Sequence, residues 1–366
     1  MVLLIDSEDK MEKLVLGSAF LGGGGGGDLV LGLELAKIFA RLGYVEIRSV
    51  DEVRPDAIVV TTSIVGPQSI DTWTRSSLIA NLVGSVRDLE KAIGKPIDGL
   101  ISSEIGAVNT LSPFPASILL EIPVIDAPCN GRAHPTVLMG SMGLQRLSGY
   151  VSIIAARWGI AGDRSRGSAV LKGSLEEVIN ILRSIVSMKG VVATARNPIY
   201  ISYVKDNGAP GAIALAFELG SMISNYRSDP LELSYRIAEK YSGAVIEGCQ
   251  VIESFSEIRE GLDYGRVRIK CGNMDYILVY ANENIYLEDS SGIIAVFPDL
   301  ISMIDLTTGL PLLSKDLKEG SRFNIVVIRW KKLRLGSGLR YPESYDQVVR
   351  AIGRDIRVYL KELLVG

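Results

Sequence analysis

Three short apolar runs decide the fold, and they read Asp56-Ala-Ile-Val-Val-Thr-Thr62, Asp98-Gly-Leu-Ile-Ser102 and Ile122-Pro-Val-Ile-Asp126. Each run is rich in branched aliphatic side chains, which is typical of a buried β-strand. Longer segments with helical spacing separate the runs, and this alternation predicts strands that are covered by helices. The sequence therefore predicts a layered N-terminal α/β domain, which we place at residues 1–240.

The segments around these strands carry start signals of helices. Asp28 is placed to cap a helix that runs through Phe39, and Ser174 with Glu177 has the spacing of a capping box. Helical spacing predicts helices over residues 28–39, 69–93, 174–188 and 211–224.

The texture of the sequence changes around Gly243. From there on the apolar runs are short, β-branched and aromatic, and turn dipeptides such as Gly272-Asn273 separate them as in a hairpin. We therefore predict a second, smaller all-β domain, barrel-like, over residues 243–336. A terminal helix over residues 343–364 is expected to pack on the α/β domain.

Composition limits the function classes. The chain has 366 residues, 39 basic and 42 acidic side chains, and a net charge of −3. At roughly 150 residues per domain this length suggests about two domains. A nucleic-acid surface needs clustered basic residues, so nucleic acid is not an expected partner, and neither is an anionic membrane. A small-molecule substrate is the expected partner.

The only histidine, His134, restricts metal chemistry, because zinc sites built on two or three histidines cannot form within one chain. Cys129, Cys249 and Cys271 lie far apart with no CxxC pair, which predicts a reducing compartment rather than disulfides. Residues 1–13 mix acidic and apolar side chains, unlike a signal peptide, so we expect a cytoplasmic protein. The cofactor stays unknown, although a divalent metal on carboxylates is compatible with the sequence.

Six consecutive glycines, Gly22 to Gly27, precede Asp28 at a predicted helix start. Backbone amides without Cβ atoms around them can surround an anion or a planar polar ligand. The alternative is a hinge or a tight packing crossover, and Asp28 is either the helix cap or a site residue. No Gly-Lys-[Ser/Thr] follows the run, and no nucleotide is expected. The candidate substrate-binding residues here are Gly24, Gly25, Gly26, Gly27 and Asp28.

Polar residues follow two of the predicted strands. Thr61 and Thr62 end the first, where hydroxyls either bind a ligand or satisfy a turn. Glu104 follows the second in a small, apolar stretch that would favour a general acid or base, or it is a first-turn carboxylate of a helix. Asn109 is either a turn residue or an amide that orients its neighbours.

The loop that starts at Asp126 is the densest polar group in the chain. Arg132 offers a planar fork for a carboxylate or ring oxygen, and His134 can move a proton near neutral pH. The alternatives are a salt bridge between Asp126 and Arg132 and a structural His134. Cys129 is either a small turn residue, which we favour, or a nucleophile.

In a parallel sheet these strand ends would lie along one rim, so that Thr61, Thr62, Glu104 and Asp126 would form a pocket over the glycine run. We expect Glu104, Asp126, Arg132 and His134 to be the catalytic residues, with Thr61, Thr62 and Asn109 binding the substrate.

The chain resembles the S-methyl-thiohydantoin desulfurase-like family, which often carries a hydantoinase- or oxoprolinase-related label. The matching stretches occur in order over nearly the whole chain: the glycine run to Asp28, Glu104-Ile-Gly-Ala-Val-Asn109, Ile122-Pro-Val-Ile-Asp126, Gly131-Arg132-Ala133-His134-Pro135, Ala214-Leu-Ala-Phe-Glu-Leu-Gly220, Asn282-Glu283-Asn284, and Phe297-Pro298-Asp299-Leu300-Ile301 with Asp305 and Thr308-Gly309.

The resemblance implies an α/β domain, a β-barrel-like domain and hydrolysis of a five-membered cyclic amide or thiohydantoin, with methanethiol released from an S-methyl substrate. Our hypothesis is a hydrolase in which Glu104 or Asp126 activates water, Arg132 holds the ring or a substrate carboxylate and the glycine amides stabilise negative charge. The alternative is a non-catalytic accessory or binding subunit of a hydantoinase-type assembly. A second copy of the chain or a hydantoinase-type subunit is therefore an expected kind of protein partner.

Overall fold

The computed structural model describes residues 2–66, 74–160, 162–164 and 166–365. The first of two sheets contains β1 (Leu3–Ile5), β2 (Val45–Arg48), β3 (Ile58–Val65), β4 (Gly99–Ser102), β5 (Val124–Ile125), β6 (Ser152–Trp158), β7 (Gly167–Gly173) and β8 (Val192–Tyr200). The strand order is β1-β2-β5-β4-β3-β8-β6-β7. In its centre β2, β5, β4 and β3 run parallel, with antiparallel strands at both sides.

The three apolar runs are confirmed as β3, β4 and β5, and they are parallel neighbours. One detail of the prediction is wrong. Thr61 and Thr62 lie inside β3, because the branched residues Ile64 and Val65 extend the strand beyond them.

The helices are α1 (Glu8–Gly22), α2 (Leu29–Leu42), α3 (Arg75–Ile93), α4 (Phe114–Leu120), α5 (Leu175–Lys189), α6 (Ile201–Asn207), α7 (Ala212–Tyr226), α8 (Pro230–Tyr241) and α9 (Asp346–Ile352). The predicted helices α2, α5 and α7 are confirmed, including the capping box of Ser174 and Glu177. The prediction for residues 69–93 is confirmed from Arg75 onward, and residues 69–73 lie outside the described residues. Sequence patterns did not single out α1, which packs closely on α7.

The second sheet is antiparallel and curls into a half-barrel. It contains β9 (Ala244–Arg259), β10 (Leu262–Cys271), β11 (Met274–Ala281), β12 (Glu283–Asp289), β13 (Gly292–Val296), β14 (Leu300–Asp305) and β15 (Arg322–Ile328). The strand order is β13-β12-β11-β10-β9-β15-β14, and the predicted turn at Gly272-Asn273 connects β10 to β11. The predicted fold class, a layered α/β unit with a smaller barrel-like β unit, is confirmed, whereas the domain boundaries at residues 240 and 243 stay predictions.

The prediction of one terminal helix over residues 343–364 is wrong. The segment contains 3₁₀ turns at Pro342–Tyr345 and Ile356–Tyr359, with α9 between them. Gly353, with φ of 68°, ends α9 in the left-handed region that favours glycine. The apolar side chains of this segment pack against β10 and β11 of the second sheet rather than on the α/β layer.

The expectation that the chain forms no disulfide is also wrong. Cys249 on β9 and Cys271 on β10 face each other in the strand register and are joined by a disulfide. The two cysteines are far apart in the sequence, and the register of the β9–β10 hairpin brings them together. Cys129 is a free, buried cysteine.

Across the described parts of the chain, no helix is both long and apolar enough to cross a membrane.

Candidate functional site

The glycine run connects α1 to α2 and adopts a conformation that side chains disfavour. Gly23, Gly24, Gly26 and Gly27 have φ angles of 58°, 95°, 79° and 103°. An L-residue with a Cβ is strained at such angles, so the run is suited to glycine by its backbone alone.

The run also lies too close to its surroundings to carry side chains. A Cβ on Gly23 would lie 2.5 Å from Nη2 of Arg132, and a Cβ on Gly25 would overlap the carboxyl group of Glu283. The close packing brings the glycine backbone against two ionisable side chains, one from the loop after β5 and one from the start of β12.

The carbonyl groups of the run accept hydrogen bonds from both parts of the molecule. The amide of Asn284 donates to the oxygen of Gly23 at 2.8 Å, that of Ser314 to Gly24 at 2.9 Å, and that of Val108 to Gly26 at 3.1 Å. Within the described residues the buried amides of Gly24 and Gly26 have no hydrogen-bond partner. Buried amides nearly always find a partner, so these two N–H groups are available to a bound ligand or water.

Glu104 follows β4 and is held on both carboxylate oxygens. Asn109 donates from Nδ2 to Oε1 at 2.7 Å, and the backbone amide of His134 donates to Oε2 at 3.1 Å. The residue is only 6% exposed. A carboxylate has about four acceptor positions, so Glu104 keeps capacity for a further donor. The contact of Asn109 with Glu104 agrees with the prediction of an orienting amide, and substrate binding by Asn109 stays a prediction.

His134 packs on Glu104. Its Nε2 lies 3.3 Å from Oε2 of Glu104 and 3.4 Å from the carbonyl oxygen of Ser103. Its Nδ1 is buried and has no hydrogen-bond partner in the described part of the chain. If Nε2 carries the proton and faces these oxygens, Nδ1 is left as a free acceptor.

Arg132 is completely buried, and its guanidinium is only partly satisfied. Nη1 donates to the carbonyl oxygens of Pro298 at 3.1 Å and Asp299 at 2.6 Å, and the ring of Phe297 lies 4.5 Å from Cζ. Nε and Nη2 have no partner among the described residues. Burial lowers the pKa of Arg132 to about 10, against the opposing negative charges of Glu283 and Asp299. No salt bridge to Asp126 is formed by this side chain in the described structure.

Glu283 belongs to the same cluster, and sequence reasoning did not choose it as a site residue. It is 3% exposed, and its Oε2 has no partner within the described residues. Burial raises its pKa well above the ordinary value, the charge of Glu104 adds to the rise, and Arg132 opposes it. The available signal was the Asn282-Glu283-Asn284 stretch of the family resemblance, in which Asn282 has a φ of 62° at the junction of β11 and β12.

Arg196 on β8 is a second buried guanidinium that the sequence reasoning missed. It pairs in register with Thr61 on β3, is 3% exposed, and its Nε and Nη1 have no partner in the described chain. Burial lowers its pKa, whereas the charges of Cys129 and Glu104 act in the opposite direction. Nothing in an apolar strand pattern distinguishes such an arginine from an exposed one.

The hydroxyl groups of Thr61 and Thr62, predicted to bind substrate, contact other buried side chains of the protein. Oγ1 of Thr61 lies 3.2 Å from Sγ of Cys129, and Oγ1 of Thr62 lies 3.0 Å from Oγ of Ser112. Both threonines are fully buried. Burial also raises the pKa of Cys129, which favours its reading as a small packing residue over a nucleophile.

The two predicted aspartates cap helices. Asp126 accepts from the amides of Ile213 at 2.6 Å and Ala214 at 3.1 Å, at the start of α7. Burial raises its pKa although both amides oppose the rise. Asp28 accepts from the amide of Leu31 at 3.0 Å and lies 3.2 Å from Nζ of Lys315. The structure therefore groups Glu104, Arg132, His134 and Asn109 with the glycine run, while the carboxylates of both aspartates are committed to helix starts.

The described residues contain no group of three or more histidine, cysteine or acidic side chains that could hold a metal ion. The donors that do converge are carboxyl groups, guanidinium groups, one imidazole and backbone amides.

The fold and the site together define a two-sheet α/β protein with an enclosed acid and guanidinium cluster where the layers meet. A search of solved structures finds a similar fold in the X-ray structure of a protein from Chromobacterium violaceum, determined by a structural genomics consortium. That similarity has a TM-score of 0.72 at 17% identity and covers 95% of this chain and 96% of the other. No curated protein matches the sequence.

Two family models match the sequence: the N-terminal domain of S-Me-THD-like proteins over residues 9–161 and their C-terminal domain over residues 174–340. The chain belongs to the S-methyl-thiohydantoin desulfurase-like family. Glu104, Arg132, His134 and the glycine run fall in the N-terminal match, whereas Arg196 and Glu283 fall in the C-terminal one. Both family domains thus contribute to the cluster.

Proposed function

We propose that this protein is a hydrolase acting on a small cyclic amide of the hydantoin or S-methyl-thiohydantoin type. Membership in the S-Me-THD-like family supports this substrate class. The structural observation that carries the proposal is the buried cluster of Glu104, Glu283 and Arg132 beside the glycine run, in which polar atoms stay unpartnered. Buried polar groups without partners are costly, so a planar ring with donors and acceptors complements this cluster.

The two glutamates have surroundings suited to opposite roles. Glu104 is held by the side chain of Asn109 and the backbone amide of His134, which positions its carboxyl group to take a proton from water. Burial raises the pKa of Glu283 well above its usual range, which favours the protonated side chain and suits it to donate a proton. Two carboxyl groups in such different surroundings can provide a base and an acid in one site.

The reaction would proceed by attack of water on the ring carbon that carries the S-methyl group. Glu104 accepts one proton from the water as the C–O bond forms, and the C–S bond then breaks. The ring nitrogen takes up the proton held by Glu104, the departing sulfur receives the proton of Glu283 and leaves as methanethiol, and the proton of the new hydroxyl group returns to Glu283 as the carbonyl forms. Over the whole reaction, water supplies the carbonyl oxygen of the hydantoin, and its two protons end on the ring nitrogen and on sulfur.

Arg132 and the glycine amides would hold the ring and its developing negative charge. The unpartnered Nε and Nη2 of Arg132 and the free amides of Gly24 and Gly26 are fixed donors. All of these groups are buried, and donors in a water-poor site act more strongly on charge than donors in water. Asp126 stays a predicted catalytic residue, but its contacts with α7 favour a helix-capping role.

The test is a turnover assay on the purified chain with an S-methyl-thiohydantoin and a plain hydantoin. Released methanethiol is measured with a thiol reagent, and ring opening is followed by mass spectrometry. We expect Glu104→Gln to lower turnover by about 10²- to 10⁴-fold, the range for loss of a general base. Glu283→Gln should lower methanethiol release in particular. Glu239→Gln, an exposed change on α8, is the matched control and should leave turnover unchanged.

Wild-type turnover in a folded Glu104→Gln variant would remove Glu104 from the mechanism. A wild-type chain that binds the ring, seen as a rise in melting temperature, but never turns it over would favour the accessory-subunit alternative. Neither binding nor turnover would reject this substrate class.

The cytoplasmic location is a separate proposal. The disulfide between Cys249 and Cys271 removes the cysteine argument for it, since such bonds are usual in oxidising compartments. We expect that fractionation of the producing cells recovers the tagged chain in the cytoplasmic fraction.

A further inference from the structure

The outer part of β9 forms an edge that no other described strand covers. Val251 exchanges backbone hydrogen bonds with Gly320 and Ser321, and beyond it β9 pairs with β10 alone among the described residues. Residues 253–259 are exposed along the whole stretch. A long edge of this kind offers unpaired backbone groups to another strand.

This edge carries exposed apolar side chains. Phe255 is 51% exposed and Ile258 is 76% exposed. Charged residues on an edge strand ordinarily discourage pairing, and Glu253, Glu257 and Arg259 stand on this one. The order of the charges therefore decides whether a second copy is repelled or accepted.

We propose that β9 pairs with β9 of a second copy of this chain in an antiparallel, two-fold dimer centred on Ser256. In that register Glu253 lies opposite Arg259 of the partner subunit, and the reciprocal pair forms by symmetry. Phe255 and the partner's Phe255 become diagonal neighbours, a distance that aromatic rings bridge.

The neighbouring symmetric registers are worse. A pairing centred on Phe255 places Glu253 opposite the partner's Glu257, and one centred on Glu257 places that residue opposite itself. Like charges directly opposite each other are destabilising in a sheet. A pairing centred on Ile258 also places Glu257 opposite the partner's Arg259, but it joins only three residues of each strand because β9 ends at Arg259. The register centred on Ser256 is therefore the longest one in which opposite charges face each other. Within one chain Arg259 pairs with Glu257, and Glu253 lies 3.9 Å from Arg268, so the two-fold pairing adds a cross-strand partner to charges that already have contacts in the chain.

The dimer is tested by light scattering and sedimentation equilibrium of the full chain. We expect a wild-type dimer that weakens with salt, because its two ion pairs are exposed. Glu253→Arg and Arg259→Glu should each weaken dimerisation about tenfold, since each change places like charges opposite at two symmetric positions. The control Glu239→Arg, exposed on α8, should have no effect.

Charge reversal separates the pairing from local damage to β9. The variant that carries both Glu253→Arg and Arg259→Glu restores opposite charges and should dimerise like the wild type. An equimolar mixture of the two single variants should form heterodimers, because every cross-strand pair is then complementary. A monomeric wild type, or a dimer that none of these changes affects, would overturn the proposal, as would a double variant as weak as the single ones.

Discussion

At Gly26 the backbone conformation and the space around it both require glycine. Its φ is 79°, and a Cβ there would lie 2.6 Å from Cα of Gly106. We expect Gly26→Ala to lower the free energy of unfolding by about 3 kcal/mol, combining left-handed strain with overpacking. Gly22 has nothing within 4 Å of a built Cβ, so Gly22→Ala should change stability by less than about 1 kcal/mol. Urea unfolding compares the two, and equal effects would contradict the close contact.

The raised pKa of Glu283 predicts that the stability of the protein depends on pH. Burial and the charge of Glu104 raise its pKa in the folded chain, so the folded state binds this proton more tightly than the unfolded state does. The stability from this protonated group is fully present below the pKa of the unfolded glutamate and is lost as the pH rises through the folded pKa. Glu283→Gln stays neutral at every pH.

The wild type should therefore lose stability relative to Glu283→Gln as the pH rises. Urea unfolding of both chains from about pH 5 to about pH 9 measures the difference. Two curves that stay parallel over this range would show that Glu283 does not hold its proton in the folded state.

Some site residues were predictable from the sequence, and others were not. Glu104, Arg132 and His134 follow neighbouring parallel strands of the first sheet, so local pattern and the strand-end rule bring them together. Glu283 and Arg196 reach the cluster from β12 and β8, and only the packing of distant segments places them there. The density of polar residues after Asp126 identified the correct loop, but it did not show that the carboxylate of Asp126 turns toward α7.

At the scale of elements, the start of α7 depends on Asp126. Its carboxylate accepts two amides and is 9% exposed, whereas Asp28 accepts one amide at the start of α2. We expect Asp126→Ala to cost about 2–3 kcal/mol and Asp28→Ala about 1 kcal/mol, since loss of the Asp126 carboxylate leaves the buried amide of Ile213 without an acceptor. Chemical denaturation measures both, and hydrogen exchange at Ile213 and Ala214 should rise only for the first.

The same position separates capping from catalysis. Asp126→Asn keeps an oxygen for the helix but removes the base. If Asp126 only caps α7, the folded variant should turn over substrate at close to the wild-type rate, in contrast to Glu104→Gln. A loss of turnover as large as that of Glu104→Gln would restore Asp126 to the catalytic group.

Elements with strong local signals were predictable from the sequence, whereas elements determined by contacts between distant segments were not. Asp28 and the Ser174 capping box fix helix starts locally, so α2 and α5 were predictable. The C-terminal segment has apolar spacing that suits a helix, but Gly353 ends α9 and the remaining side chains follow the surface of the second sheet. The disulfide likewise follows from the register of β9 and β10, which no cysteine spacing reveals.

In the whole molecule, three parts meet at Arg132. The loop that carries Arg132 comes from the first sheet. Its guanidinium donates to the carbonyl oxygens of Pro298 and Asp299, which lie just before β14. The C-terminal segment supports the ring of Phe297, which packs against the guanidinium. The guanidinium is thus positioned by segments from both family domains. We therefore expect the position of the Arg132 guanidinium to change when the C-terminal segment is altered, although that segment does not contact the proposed substrate.

Tyr345 in the C-terminal segment tests this connection. It is fully buried, its ring centroid lies 6.3 Å from that of Phe297, and its hydroxyl donates to the carbonyl of Leu339 at 2.9 Å. Tyr345→Ala should cost about 3–5 kcal/mol through the cavity it leaves, and it should release Phe297 from its place under Arg132. Tyr345→Phe keeps the ring and loses one hydrogen bond, at a cost of about 1 kcal/mol.

Turnover measured at a temperature where both variants are fully folded distinguishes support of the site from overall stability. We expect reduced turnover for Tyr345→Ala, and wild-type turnover for Tyr345→Phe, because only the first disturbs the ring against Arg132. If Tyr345→Ala is folded and retains the wild-type rate, the C-terminal segment stabilises the molecule without positioning Arg132.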